Sequence, residues 1–430
     1  MAQVQASFAT RRLLSPRPRL VAAGSLAMVA LIATAVLVAV ALARIATNAY
    51  GATGDFLSFY AAGHLVGTGS GNVLYEPVVQ EWTQRALYPG GFDYAIGFPL
   101  PVFAAWLFAP FAKLPFTTAF LFWIAIQTAL LLALCRLLAA HLEHVPPVPR
   151  RVFVAVFALS MPSVSAVIFG QVDLFVFAGL FLAYTLLRSD RRALAGAALS
   201  LALFKPHFLA GIVVLLIVWQ QWRVLLSLTA IAVPLLTLPA LLTSPGTLLG
   251  NLSFIGRYPG SDEQLAVNAS MMSNWRGFIV SVTNSNELLF WLPGLLVIAA
   301  AALWIAARTW RRSTSGDAPA DQAYALAVLL PLLASPHLHT QSLVLLFIPL
   351  AIVMRTYFRP EGTAWHDDDR VMDAVAALLL CFALLFALWF IGAQGLATMV
   401  FLILAAFALC AFRWPDEERG AAFTRRLPLA

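Results

Sequence analysis

The sequence predicts an all-α polytopic membrane bundle of about 12 spans, and three observations carry that prediction. Hydrophobic residues make up 61% of the 430 residues and charged ones 11%. With a mean hydropathy of +0.85, this composition excludes a water-soluble globular chain. Apolar runs of roughly 17 to 24 residues recur from Leu20 onward, the length that crosses a hydrocarbon core as helix. Arginines gather at the ends of those runs, which is how a membrane protein marks its cytoplasmic side.

Taken in order, residues 1–19 form a cytoplasmic tail marked by Arg11, Arg12, Arg17 and Arg19, and a transmembrane domain over residues 20–412 opens with a span from Leu20 to Ala43. Residues 44–97 make a first outer loop, aromatic, glycine-rich and weakly charged, which suits short helices lying in the headgroup zone. Phe98 to Phe111 and Phe116 to Leu138 look like two crossings, yet alternation demands an odd number before Arg150. The prolines at 99, 101, 110 and 115 resolve this by making the first piece re-entrant or broken, which is tolerable where it lines a protein cavity. Residues 193–221 are cut by Lys205-Pro206 into halves short for a span, and proline rules out one continuous helix. The second outer loop covers 244–287, and 413–430 return as a cytoplasmic tail. Both termini are then cytoplasmic, while Asp173, Lys205 and Ser335 to His339 share the face of Asp55.

The net charge of +7 does not point to nucleic acid. Of the 27 basic residues only Lys113 and Lys205 are lysines, and most of the arginines flank apolar runs as topology signals. The cysteines Cys135, Cys381 and Cys410 all lie in apolar sequence, so no disulfide framework or thiolate metal site is implied. There is no Walker A motif, dinucleotide fingerprint, soluble catalytic domain or clear inverted repeat.

Polar residues that interrupt apolar sequence are the candidates for chemistry. Asp55, in Gly54-Asp55-Phe56, opens a helix, where a carboxylate caps backbone N–H groups and where, facing a cavity, it can also serve as a general base. Lys205-Pro206-His207 puts an ammonium at a helix break within the membrane, and a phosphate is its natural partner; the alternative is a lysine snorkelling to the interface. Arg276, at the end of Asn268-Ala269-Ser270-Met271-Met272-Ser273-Asn274-Trp275, stands outside against the positive-inside bias, as an anion ligand would. His337 and His339 lack an accompanying carboxylate or thiolate and suit hydrogen bonding to a phosphate or sugar better than metal. Gly170-Gln171-Val172-Asp173 places an amide and a carboxylate at a helix start, where capping is the simple reading of Asp173.

Together these stretches resemble the polyprenol-phosphate-mannose-dependent mannosyltransferases of glycosyltransferase family 87, within the GT-C superfamily. The parallels run from Asp55-Phe56 and Phe59-Tyr60-Ala61-Ala62-Gly63 through Leu74-Tyr75, Phe98-Pro99-Leu100-Pro101, Leu114-Pro115, Gly170-Gln171, Ala195-Gly196 and Lys205-Pro206 to Asn268-Ala269-Ser270 and Ser335-Pro336-His337. This chain departs from the family in reading Phe98-Pro99-Leu100-Pro101 for aromatic-Pro-Pro, and Gln171-Val172-Asp173 where Asn usually follows Gln. The resemblance implies a GT-C-type bundle that moves a sugar, read as mannose, from a polyprenyl-phosphate donor to a lipid or glycan acceptor on the extracytoplasmic face, with inversion. Asp55 is then the general base, and Lys205, Arg276 and His337 contact phosphate. Tyr60, Gln171, Asp173, His207 and His339 are further substrate-binding candidates. No cofactor and no metal are expected; the expected location is a bacterial inner membrane, and the Ala- and Arg-rich, Lys-poor composition is consistent with a GC-rich bacterial genome. The rival reading is a transporter or flippase of a lipid-linked or anionic substrate, since broken helices also build transport sites.

Overall fold

The computed structural model describes residues 16–46, 54–88, 95–257, 272–314, 320–358, 368–390 and 394–411, and every regular element among them is a helix. The C-terminal tail, nearly all of the N-terminal one and Asn268-Ala269-Ser270 lie outside these residues. Among the described residues seven segments are long and apolar enough to cross a membrane: Leu20–Val40, Phe116–His141, Pro147–Ile168, Trp222–Thr243, Leu288–Ala307, Thr340–Tyr357 and Val371–Leu388. Shorter apolar helices at Arg192–Phe204, Pro206–Val218, Ala320–Leu333 and Gly395–Cys410 complete a multi-pass bundle.

Helix α1 (Pro16–Ala46) starts on a proline, whose missing N–H costs nothing at a helix start. The loop that follows holds α2 (Gly54–Gly67) and α3 (Pro77–Leu87). The buried face of α3 is two glutamines one turn apart, and both bind the chain leading out of the loop. Gln80 Nε2 donates to Leu74 O (2.7 Å) while its Oε1 accepts from Phe98 N (2.8 Å). Gln84 exchanges both bonds with Ile96, at 2.7 and 3.1 Å. Buried backbone that has no helix of its own is thus satisfied by side-chain amides.

The segment the sequence marks as re-entrant or broken forms only α4 (Val102–Phe108), a 3₁₀ turn at Phe111–Lys113, and then α5 (Phe116–His141), with Pro101 and Pro115 at the N-caps of the two helices. Seven residues of helix span roughly 10 Å, far less than a hydrocarbon core. Helix α4 packs on α2 so closely that a Cβ at Gly63 would lie 2.5 Å from the Phe108 carbonyl. Around this contact Phe56, fully buried, meets the rings of Phe108 (6.0 Å), Phe116 (5.7 Å) and Phe120 (5.1 Å). That aromatic cluster fixes the first turn of α2, and with it Asp55.

Helices α6 (Pro147–Leu159) and α7 (Met161–Ile168) form one span bent at Ser160, with Pro162 in the first turn of α7. Next come α8 (Asp173–Arg188) and α9 (Arg192–Leu199). The expected break at Lys205 is present. A 3₁₀ turn over Ser200–Phe204 ends at Lys205 (φ −133°, ψ 74°), and a second over Pro206–Leu209 leads into α10 (Ala210–Val218). A residue before proline is pushed out of the helical region, and that places the interruption at Lys205.

The remaining helices are α11 (Trp222–Thr243), α12 (Gly246–Arg257), α13 (Trp275–Thr283), α14 (Leu288–Thr314), α15 (Ala320–Leu333), α16 (Phe347–Tyr357), α17 (Asp368–Phe390) and α18 (Gln394–Ala411). Helix α15 is buried on nearly every side, which, with α8 and α16, makes it the centre of the bundle, while α1 packs along α17 on the outside. Arg188 at the C-terminal end of α8 and Tyr184 bind Asp321 at the start of α15. Helix α8 extends about 24 Å from there to Asp173 at the opposite end of the bundle.

Candidate functional site

Four interruptions of helix meet at that opposite end: the start of α2, the turn before α8, the break before α10 and the loop between α15 and α16. Each is an interruption that the sequence imposes with glycine, proline or a polar run. The turn before α8 depends on Gly170, which has φ 68° and sits where a Cβ would come within 2.9 Å of Phe56 and 3.1 Å of Trp123; only glycine accepts both conditions. Trp123 Nε1 donates to Gly170 O (2.7 Å), and the Gln127 amide donates to Gln171 O. The turn is therefore clamped from α5.

From this turn the Gln171 side chain approaches the Asp55 carboxylate and favours its ionised form. Asp55 is partly buried, and its burial pushes the carboxyl up from 3.8 to about 6, against the opposing effects of Gln171 and the Lys205 charge. A carboxyl so placed is ionised near neutral pH and close to the pH at which it exchanges protons readily, as a general base requires.

Two residues further on, Asp173 has no exposed surface and does not cap its helix; Val172 is the N-cap and no side chain caps there. Instead Lys205 Nζ donates to Asp173 Oδ1 (3.0 Å) and Oδ2 (2.8 Å) and lies 3.4 Å from Ser342 Oγ, which itself donates to Asp173 Oδ1 (2.6 Å). The ammonium for which the sequence suggested a phosphate partner is paired with a carboxylate of the chain itself. Its neighbour His207 has a buried Nε2 with no hydrogen-bond partner and lies within the fields of Lys205 and Asp173.

Arg276 is 1% exposed at the start of α13, where Nε donates to Asn286 Oδ1 (2.7 Å) and the guanidinium lies 5.2 Å from the Trp291 ring centre. Asn274 caps the same helix by accepting from Gly277 N (2.9 Å) and donates to Ser335 O (3.0 Å). Ser273 N donates to Leu338 O (2.7 Å). These bonds hold the segment leading into α13 against Ser335 to His339. The rings of His337 and His339 are 4.8 Å apart. Burial, then the charges of His339, Lys205, His207 and Arg276, hold His337 well below the ordinary histidine value, so its ring is neutral.

The structure thus gathers Asp55, Gln171, Asp173, Lys205, His207, Arg276, His337 and His339 at one end of the bundle. Tyr60 is set apart: it is buried, its hydroxyl donates to Leu114 O (2.7 Å) and its ring packs on Phe116 (5.3 Å). Among the described residues no group of three or more His, Cys, Asp or Glu is arranged to hold a metal ion. Sequence reasoning passed over Ser342, Gln127 and Trp123. Gln127 carried a usable signal, since an amide inside an apolar span is costly unless it has a partner; Ser342 sits in a polar run of ordinary appearance, and nothing local marked it.

A family model described as glycosyltransferase family 87 matches residues 98–336, more than half of the chain. The matched region holds the turn at 170–173, the break at Lys205 and Arg276. No curated protein and no solved structure matches the chain.

Proposed function

The chain belongs to glycosyltransferase family 87, a membrane glycosyltransferase, and from that premise we propose that it moves mannose from a polyprenyl-phosphate donor to a lipid or glycan acceptor on the outer face of a bacterial inner membrane. Asp55 takes the proton of the acceptor hydroxyl, and that oxygen forms a bond to the anomeric carbon. The carbon–oxygen bond to the donor phosphate breaks on the opposite side, so configuration inverts and the lipid phosphate leaves with the electron pair. Its charge develops at a site where Arg276 supplies a fixed positive field. His207, with its buried Nε2 unpartnered, and the neutral His337 are donors within that field for phosphate oxygens.

The observation that carries this reading is the environment of Asp55: a carboxylate raised by burial to about 6, next to Gln171 and within the fields of Lys205 and Asp173. Membranes holding the native chain should transfer label from radiolabelled polyprenyl-phosphate-mannose to endogenous acceptors, and membranes holding Asp55→Asn at equal expression should not. Transfer undiminished in the Asn variant would remove Asp55 from the chemistry. If only another lipid-linked sugar served as donor, the choice of mannose would fall and the base would stand.

A further inference from the structure

An ammonium has three N–H donors and no acceptor, and here all three are accounted for: two lie on the oxygens of Asp173 and the third is directed at Ser342 Oγ. Ser342 spends its own proton on Asp173. The three side chains come from α8, the break before α10 and the turn before α16, and the ion pair they form is buried, with Lys205 13% and Asp173 0% exposed at the side chain. Lys205 cannot donate to a phosphate without giving up one of these bonds. Asp173 is meanwhile two residues from Gln171, on a turn held at its other end by Trp123 and Gln127.

We propose that Asp173, Lys205 and Ser342 are positioning residues, a neutral anchor that holds the 170–173 turn so that Gln171 meets the catalytic carboxylate at Asp55, rather than ligands of the donor phosphate. The inference rests on the transferase reading of the site. It gives the interruption at Lys205 a different purpose: the ion pair sets where the base stands and how readily it ionises. The cation eases ionisation of Asp55 and the buried anion opposes it. Of the other charged groups on described elements packed against α2, Glu81 and Arg85 pair with each other at 2.9 Å and Lys113 is exposed. Asp173 and Lys205 are the ones that bear on Asp55.

The test compares purified Lys205→Gln, Asp173→Asn and the double variant, in which an amide pair can replace the ion pair, with native protein and Ser342→Ala. Each single charge variant should lose about 10²-fold in kcat, the scale of a small misplacement at a reacting centre, with the KM for polyprenyl-phosphate-mannose unchanged. The double variant should recover at least about tenfold of that loss. The acid limb of the pH–rate profile should move up in Lys205→Gln, down in Asp173→Asn, and back towards native in the double variant. Ser342→Ala, an uncharged and milder change, should lower kcat several-fold at unchanged KM. A raised donor KM in Lys205→Gln that the double variant fails to restore would overturn the proposal and return Lys205 to the phosphate. Should native protein transfer no lipid-linked sugar, the transferase reading fails. The anchor is then judged by the pH dependence of carbodiimide modification of Asp55, which needs no donor and should shift in the same opposite directions; an unmoved midpoint would sink it.

Discussion

Asp55 is the residue at which sequence and structure meet most closely. Its carboxyl, raised by burial to about 6, predicts a definite pH behaviour. In the folded protein it binds its proton more tightly than in the unfolded chain, so folding is favoured by this group at low pH. That contribution is complete below 3.8 and is lost as pH rises through about 6, at most about 3 kcal/mol in all. Thermal unfolding of native protein against Asp55→Asn, from pH 4 to 7, should show native losing stability relative to the variant as pH rises. The transfer rate should run the other way, climbing through about 6 and then levelling as the base ionises. Asp55 could be picked from the sequence because a carboxylate was rare in its surroundings. Whether it would be raised or lowered could not be, since that follows first from its burial in the folded chain and then from Gln171, Lys205 and Asp173, which are far from it in sequence.

At the scale of elements, proline told most. Lys205-Pro206 breaks the chain where expected, and the prolines at 101 and 115 stand at the starts of α4 and α5, because a residue that lacks an N–H and restricts its predecessor acts locally whatever the tertiary context. Helix α3 shows the opposite case. Its Gln80 and Gln84 look like the polar face of a surface helix, yet they are its buried face, turned inward by the unpaired backbone of Ile96 and Phe98. Gln84→Ala should leave both the N–H and the C=O of Ile96 without these partners, at a cost of about 1–3 kcal/mol for each buried group that water does not reach. Limited proteolysis of this variant should cut faster between α3 and α4 than in native protein, while Trp82→Ala, an exposed position on the same helix, should not change the rate.

The whole molecule is built about α8 and α15, which carry polar groups at both ends of an otherwise apolar centre. At the end away from the site Asp321 accepts from Tyr184 and pairs with Arg188. Asp321→Asn should lower stability by about 3 kcal/mol or more, since it strands a largely buried guanidinium, yet leave kcat near native because the site lies a helix length away; a scan of thermal unfolding beside the transfer assay checks both. The sequence by itself determined that this is a multi-pass helical membrane protein, where the breaks at 98–115 and Lys205 fall, and the family to which it belongs, because hydropathy, proline and motif order are written along the chain. Only the tertiary structure decided which polar residues are partners. Lys205 meets Asp173 and Ser342, Asp55 meets Gln171, and Tyr60 turns to the Leu114 backbone, since a buried charge or hydroxyl must find its complement in space, and sequence separation places no bound on where that complement lies.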